Sequence, residues 1–198
     1  SGTQKCLSCP PGLAPLTVND LALSTIPKRT HQMASWYFDL SLLGGYWSSS
    51  RVYHHTAPIS MVYALHEALA LIIDEGLEAR TARHLKHGAT LHAGLEAMGL
   101  ALHAQKDYRL SSLTTVRIPQ GVDDVKVRQG LLNKWNIEIG GGLGPLKGKI
   151  WRIGLMGHGS TPENVLLVLT ALEKQLNAEG YSMSPGAGVA AASASLRK

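Results

Sequence analysis

The chain has 198 residues, with 19 Lys and Arg against 14 Asp and Glu, a formal charge of +5. Hydrophobic residues make up 44% and charged ones 17%, so a packed core is expected and a self-repelling disordered chain is not. The longest apolar run, Ala68 to Ile73, ends at Asp74 and Glu75 and leaves no membrane span. The basic residues are scattered and aromatics are only 6%, so no nucleic-acid-binding stripe is expected.

The opening Ser1-Gly2-Thr3-Gln4-Lys5 contains no methionine and leads into no apolar signal core, which is the reading expected of a fragment. Pro10-Pro11-Gly12 forces a turn, Leu16-Thr17-Val18 reads as a short strand, and Asp20 is placed to cap a short helix. Trp36 to Trp47 is aromatic and aliphatic and ends near Gly44-Gly45, a composition suited to a buried or interface segment. Thr56 is expected to cap a helix that accepts Pro58 in its first turn and runs to Glu75. After Gly76, a longer helix is expected from Leu77 to Met98, with Leu85, Leu91 and Leu95 on its apolar face. Ala101 to Ala104, Ser112 to Ile118, Ile137 to Ile139 and Ile150 to Leu155 read as strands; Val122 to Trp135 and Pro162 to Ala178 read as helices. Such mixing suggests an α+β layer, and the Ala, Ser and Gly tail from Gly180 has too little apolar bulk to fold by itself.

Several patterns invite chemistry and fall short. Cys6-Leu7-Ser8-Cys9 has redox spacing, but Pro10-Pro11 forbids the helix that would lower a thiol pKa, and no second ligand pair completes a zinc site. His84 and His87, with Arg80, Arg83 and Lys86 beside them, read as a solvated basic helix face, and His92 turns off it, so no metal is expected. Gly140-Gly141-Gly142-Leu143-Gly144-Pro145 fails the phosphate-loop pattern twice, at Leu143 and at Ile150, and reads as a flexible hairpin or lid.

Three other features point to a common chemistry. Lys5 lies between a polar lead-in and small residues before a proline turn, where confinement would favour a nucleophilic amine. Tyr53 and Thr56 offer hydroxyls ahead of a helix N-terminus, a setting suited to a phosphate. Arg152 is a charge within an apolar strand, where either an internal acid or a substrate carboxylate would serve as its partner.

Taken in order, Ser1-Gly2-Thr3-Gln4-Lys5 with Pro10-Pro11-Gly12, Tyr53-His54-His55-Thr56, Gly141-Gly142-Leu143-Gly144 and Trp151-Arg152-Ile153-Gly154-Leu155 resemble the class V aminotransferases, in particular those of alanine-glyoxylate (serine-pyruvate) type. The resemblance runs from Ser1 to about Asn177 and covers the C-terminal part of such a protein. It implies an α/β fold, the pyridoxal phosphate-dependent transferase fold type I, represented by the end of the large domain plus a small α+β domain. It also implies pyridoxal 5'-phosphate as cofactor, small amino acids and 2-oxo acids as substrates, and a homodimer. Lys5 matches the lysine that binds the cofactor and moves the proton, and Gln4 a neighbouring cofactor contact. Tyr53 and Thr56 match residues reaching the cofactor phosphate of the opposite subunit, and Arg152 the arginine that binds the substrate carboxylate.

The domains expected on this basis are residues 1–75 as the remainder of the large cofactor-binding domain, 76–178 as the small domain and 179–198 as a flexible tail. A complete member carries a long segment before the lysine, which supplies the aspartate at the pyridine nitrogen and a stacking aromatic. The chain alone is therefore expected to have little transaminase activity, and a noncatalytic dimerisation module is the alternative. The ending Leu196-Arg197-Lys198 lacks the Ser-Lys-Leu import pattern and selects no compartment among peroxisome, mitochondrion and cytosol.

Overall fold

The computed structural model describes all residues from 1 to 198. Contacts between Cα atoms divide the chain into two compact units, one of Ser1–Gln4 with Cys9–Glu67 and one of Lys5–Ser8 with Ala68–Lys198.

In the first unit the elements are short. Helix α1 (Asp20–Thr25) is capped by the Asn19 side chain, which accepts from the Ala22 N–H, so the cap lies one residue before the expected Asp20. Helix α2 (Leu40–Trp47) is capped by Asp39, whose carboxylate accepts from the Ser41 N–H and pairs with Arg29. Leu16-Thr17-Val18 forms no strand: it has no strand to pair with, and Leu16 is exposed. The start of α3 (Ile59–Glu75) is organised by Pro58, whose carbonyl accepts from the Met61 and Val62 amides, while the Thr56 hydroxyl bonds Tyr53 instead of capping. Trp36, Phe38, Leu42 and Trp47 are all exposed, so this segment is not buried in the chain itself.

The second unit holds the core. Helix α4 (Leu77–Ala97) presents His84, His87, Leu91 and Leu95 as one buried stripe, each three or four residues from the next. Leu85 lies off that stripe and is exposed. Strands β1 (Leu113–Arg117), β2 (Gly140–Gly141) and β3 (Ile150–Gly154) make an antiparallel sheet in the order β1-β3-β2. Val116 pairs with Trp151 and Thr114 with Ile153, and alternation puts these four buried side chains on one face. Residues 137–139 form no strand, and 101–104 contribute a single bridge, Leu102 to Val116.

Helix α5 (Asp124–Trp135) is capped by Asp123 and ends on Asn136, which adopts the left-handed conformation. Helix α6 (Pro162–Ala178) starts at its expected residue because Thr161 caps it ahead of Pro162. It contributes Val165, Leu169, Leu172 and Leu176, all fully buried, to the core around Trp151.

The C-terminal residues depart from the expected tail. Helix α7 (Ala187–Leu196) packs on α4 and α6 and buries Gly188 and Ala192. The physical reason is close approach: a Cβ at Gly94 would lie 3.0 Å from the Gly188 carbonyl oxygen, and one at Gly188 would lie 2.7 Å from Met98 Sδ. Small side chains that look too slight to fold alone let two backbones meet, with α4 and α6 supplying the apolar bulk. The carboxylate of Glu173 also accepts from the Gly186 amide ahead of α7.

Candidate active site

Lys5 belongs to a four-residue loop carried by the second unit. Its carbonyl accepts from the Ser8 amide at 2.9 Å, closing a tight turn in which Ser8 has a φ of 58°. The Lys5 side chain is exposed and forms no ion pair, so the expected confinement is not supplied by these 198 residues. Around the loop, the Arg80 guanidinium donates to the Cys6 carbonyl at 2.7 Å, and the Ser8 Oγ accepts from the His158 amide at 2.6 Å.

Those donors are themselves fixed. Glu75 accepts from Arg80 Nη1 at 2.6 Å and from Arg83 through Nε and Nη2, and these hydrogen bonds hold its carboxyl at about 2, well below its ordinary value of 4.5. The Arg83 bonds make the larger contribution. Arg83 Nη1 also donates to the carbonyls of Gly157 and Ser160, at 3.0 and 2.6 Å. His84 donates from Nδ1 to the Arg80 carbonyl and accepts at Nε2 from the Gly157 amide, so both ring nitrogens are engaged and the ring is fixed in place. His87 bonds Ser160 through Nδ1, and burial pushes its pKa down. The basic helix face expected to be solvated is therefore turned inward at both histidines. The spacing from His84 through His87 to Leu91 and Leu95 carries that signal, which a register begun at Leu85 obscures.

Arg152 lies opposite Gly140 across the β3-β2 pair and, by alternation, on the face away from Trp151 and Ile153. That explains how an apolar strand tolerates it without an acid. Its Nε donates to the Gly141 carbonyl at 2.7 Å, and no carboxylate of the chain pairs with it. The guanidinium plane is thus set by main chain while both Nη groups keep donors to offer. Nearby, Asp124 holds Arg128 and accepts from the Trp151 indole at 2.9 Å, and the Arg128 hydrogen bonds pull the Asp124 carboxyl below its ordinary range. The glycine run reads out as β2 plus a turn, and its carbonyl at Gly141 is the contribution that sequence reasoning missed.

In the first unit, Tyr53 and Thr56 are brought together, Oη to Oγ1 at 3.0 Å, and both are exposed. The loop between them is braced by His54, which donates from Nε2 to the Trp36 carbonyl, accepts at Nδ1 from His55 Nδ1 and packs on the Trp36 ring. Gln4 is exposed. Cys6 and Cys9 are free, one exposed and one buried, and no group of His, Cys, Asp and Glu is arranged to hold a metal.

No family model matches the chain. Individual relatives do: (S)-ureidoglycine--glyoxylate transaminase of Bacillus subtilis (strain 168) is 43% identical over 209 residues, covering 96% of this chain and 50% of that protein. Alanine--glyoxylate aminotransferase of Callithrix jacchus is 42% identical, covering 89% and 44% respectively. The homologues of this chain are class V aminotransferases. The solved structure of the Bacillus subtilis ureidoglycine-glyoxylate aminotransferase superposes with a TM-score of 0.96 at 45% identity, over 100% of this chain and 51% of that one. The structural neighbours are fold type I enzymes, and the chain matches the C-terminal part of its relatives. It spans about half the length of the curated relatives it matches. Pyridoxal phosphate is the expected cofactor of this family. Taken unit by unit the donors suit its chemistry: in the second an exposed amine free of ion pairs suits an aldehyde, and in the first two adjacent hydroxyls suit a phosphate. No helix is long and apolar enough to cross a membrane.

Proposed function

We propose that the chain is the C-terminal part of a pyridoxal phosphate-dependent transaminase that moves an amino group from alanine or serine to glyoxylate or pyruvate. When bound, the cofactor supplies an aldehyde for the amino group and a ring that takes up electrons from the substrate Cα. Lys5 would hold that cofactor through its amine and, when that amine is free, would carry the proton from the substrate Cα to the cofactor. Gln4 contacts the cofactor beside Lys5, and the Tyr53 and Thr56 hydroxyls bind its phosphate in a homodimer. Arg152 binds the substrate carboxylate in a two-pronged contact and so orients Cα.

The observation that carries this reading is Arg152, held by a main-chain carbonyl at Nε and unpaired with any acid, in a chain whose relatives are aminotransferases. It is tested by adding pyridoxal phosphate to the chain and following the visible absorbance of the lysine-bound form. The band should appear, be absent in Lys5→Ala, and be discharged by alanine at concentrations that rise at least tenfold in Arg152→Ala, since a charge-assisted bond of about 1.5–3 kcal/mol is lost. An equal band in Lys5→Ala would overturn the reading.

The same proposal assigns little or no turnover to the 198 residues alone, because half of a relative's length lies outside them. Robust transamination by the pure chain would contradict that. A second reading, a noncatalytic module that self-associates, is favoured by one feature: Trp36, Phe38, Leu42 and Trp47 are exposed together in one segment. It expects sedimentation as a dimer without cofactor.

A further inference from the structure

The Lys5–Ser8 loop is closed locally by the Ser8 amide on the Lys5 carbonyl and flanked by the Cys9 amide on the Thr3 carbonyl. The bonds that tie it to distant parts of the chain converge on one carboxylate. From Glu75 one route runs through Arg80 to the carbonyl of Cys6, the residue after Lys5. The other runs through Arg83 to the Gly157 and Ser160 carbonyls, and from the adjoining His158 amide to Ser8 Oγ. His84 pins the Gly157 amide from the same helix. Gly157 itself leaves no room for a side chain: its φ is 57°, and a Cβ would lie 1.8 Å from Ser8 Oγ. Both ends of a short loop that bears an otherwise unrestrained amine are thus tied to α4 and the turn Gly157–Gly159.

We infer that Arg80, Glu75 and Ser8 are positioning residues for Lys5, acting as a clamp that fixes the loop main chain so the exposed amine departs from a defined point. This rests on the reading of Lys5 as the cofactor lysine. None of the three needs to touch cofactor or substrate. Their effect is entropic, since an amine on a fixed backbone loses less freedom when it forms its covalent bond than one on a fluctuating loop.

The test uses the full chain and Arg80→Ala, Arg80→Lys and Ser8→Ala, with two independent readouts. Amide hydrogen exchange needs no cofactor: Arg80→Ala should speed exchange at Ser8, and Ser8→Ala at His158, each by about tenfold, while the β1 and β3 amides stay as slow as in the parent chain. Borohydride trapping of pyridoxal phosphate on Lys5, as a rate against pH, should fall severalfold in Arg80→Ala and recover in part in Arg80→Lys. Recovery by the lysine variant separates positioning from a general loss of fold. Unchanged exchange at Ser8 and His158 overturns the clamp, and faster exchange with an unchanged trapping rate overturns its positioning role. Should the parent chain show no trapping at Lys5 while exchange responds as expected, the cofactor reading fails and the positioning role fails with it, although the loop remains clamped.

Discussion

The two units of this chain solve the burial problem in opposite ways. In the first unit only Thr3 and Cys9 are buried, and its large side chains, Leu21, Trp36, Phe38, Trp47 and Tyr63 among them, are exposed. In the second, Trp151, Leu91, Leu95, Leu131, Leu169 and Leu172 are fully buried between a three-stranded sheet and helices α4 to α7. The second unit therefore carries its own core, while the first presents the kind of surface that needs covering. That difference matches a chain spanning about half the length of its relatives. The loop that bears Lys5 is counted with the second, well-packed unit.

Four experiments break or sharpen this contrast, beginning with the largest effect. Trp151→Ala removes a fully buried side chain and its bond to Asp124, and should cost about 3–5 kcal/mol in denaturant unfolding of the second unit. Trp36→Ala, at 58% exposure, should stay within about 0.5 kcal/mol on the same measurement. Comparable losses from both would remove the distinction between the units. Ala192→Leu forces bulk into the contact of α7 with α4 and should cost about 1–3 kcal/mol. Limited proteolysis would then cut after Glu179 sooner than in the parent chain.

Acidification should also act on the second unit. His87 has a folded pKa below its ordinary 6.5 because of burial, so it binds a proton more readily when unfolded. Its contribution is present above 6.5 and is lost as pH falls through the lowered value. Burial depresses His92 in the same direction. Glu75, held at about 2 against 4.5, adds stability above 4.5 that disappears only as pH approaches 2. Thermal melts should therefore show a first decline just below neutrality and a second in strong acid, and a melting point that rises on acidification through 6.5 would contradict the assignment. The smallest effect belongs to the first unit: Asn19→Ala removes the α1 cap and should cost about 1 kcal/mol locally, read by exchange at Ala22, with the unfolding midpoint of the second unit unchanged.

What the sequence made legible differs from helix to helix within the second unit. Helix α6 could be read because Thr161, Pro162 and a leucine-rich stripe each mark it by local chemistry. Helix α7 could not, since Ala, Ser and Gly carry no hydrophobic signal and fold only through the closeness they permit. Leu16-Thr17-Val18 has strand composition and no partner, and a strand is a pairing rather than a composition. At the site, Arg152 was legible as a charge out of keeping with its neighbours, whereas its Gly141 carbonyl partner was not, because a main-chain acceptor leaves no mark in composition. The Glu75 network joins residues more than seventy positions apart, so spacing alone could not assemble it.

The central claim is that Lys5, on a loop held by the well-packed unit, is the cofactor lysine. Its most direct test is to reduce the chain with borohydride in the presence of limiting pyridoxal phosphate and map the modified lysine. The account expects the label at Lys5, in preference to exposed lysines such as Lys86 and Lys126, and its loss when amino acid is added first. Label spread evenly over the surface lysines, with Lys5 no more reactive than the rest, would contradict it.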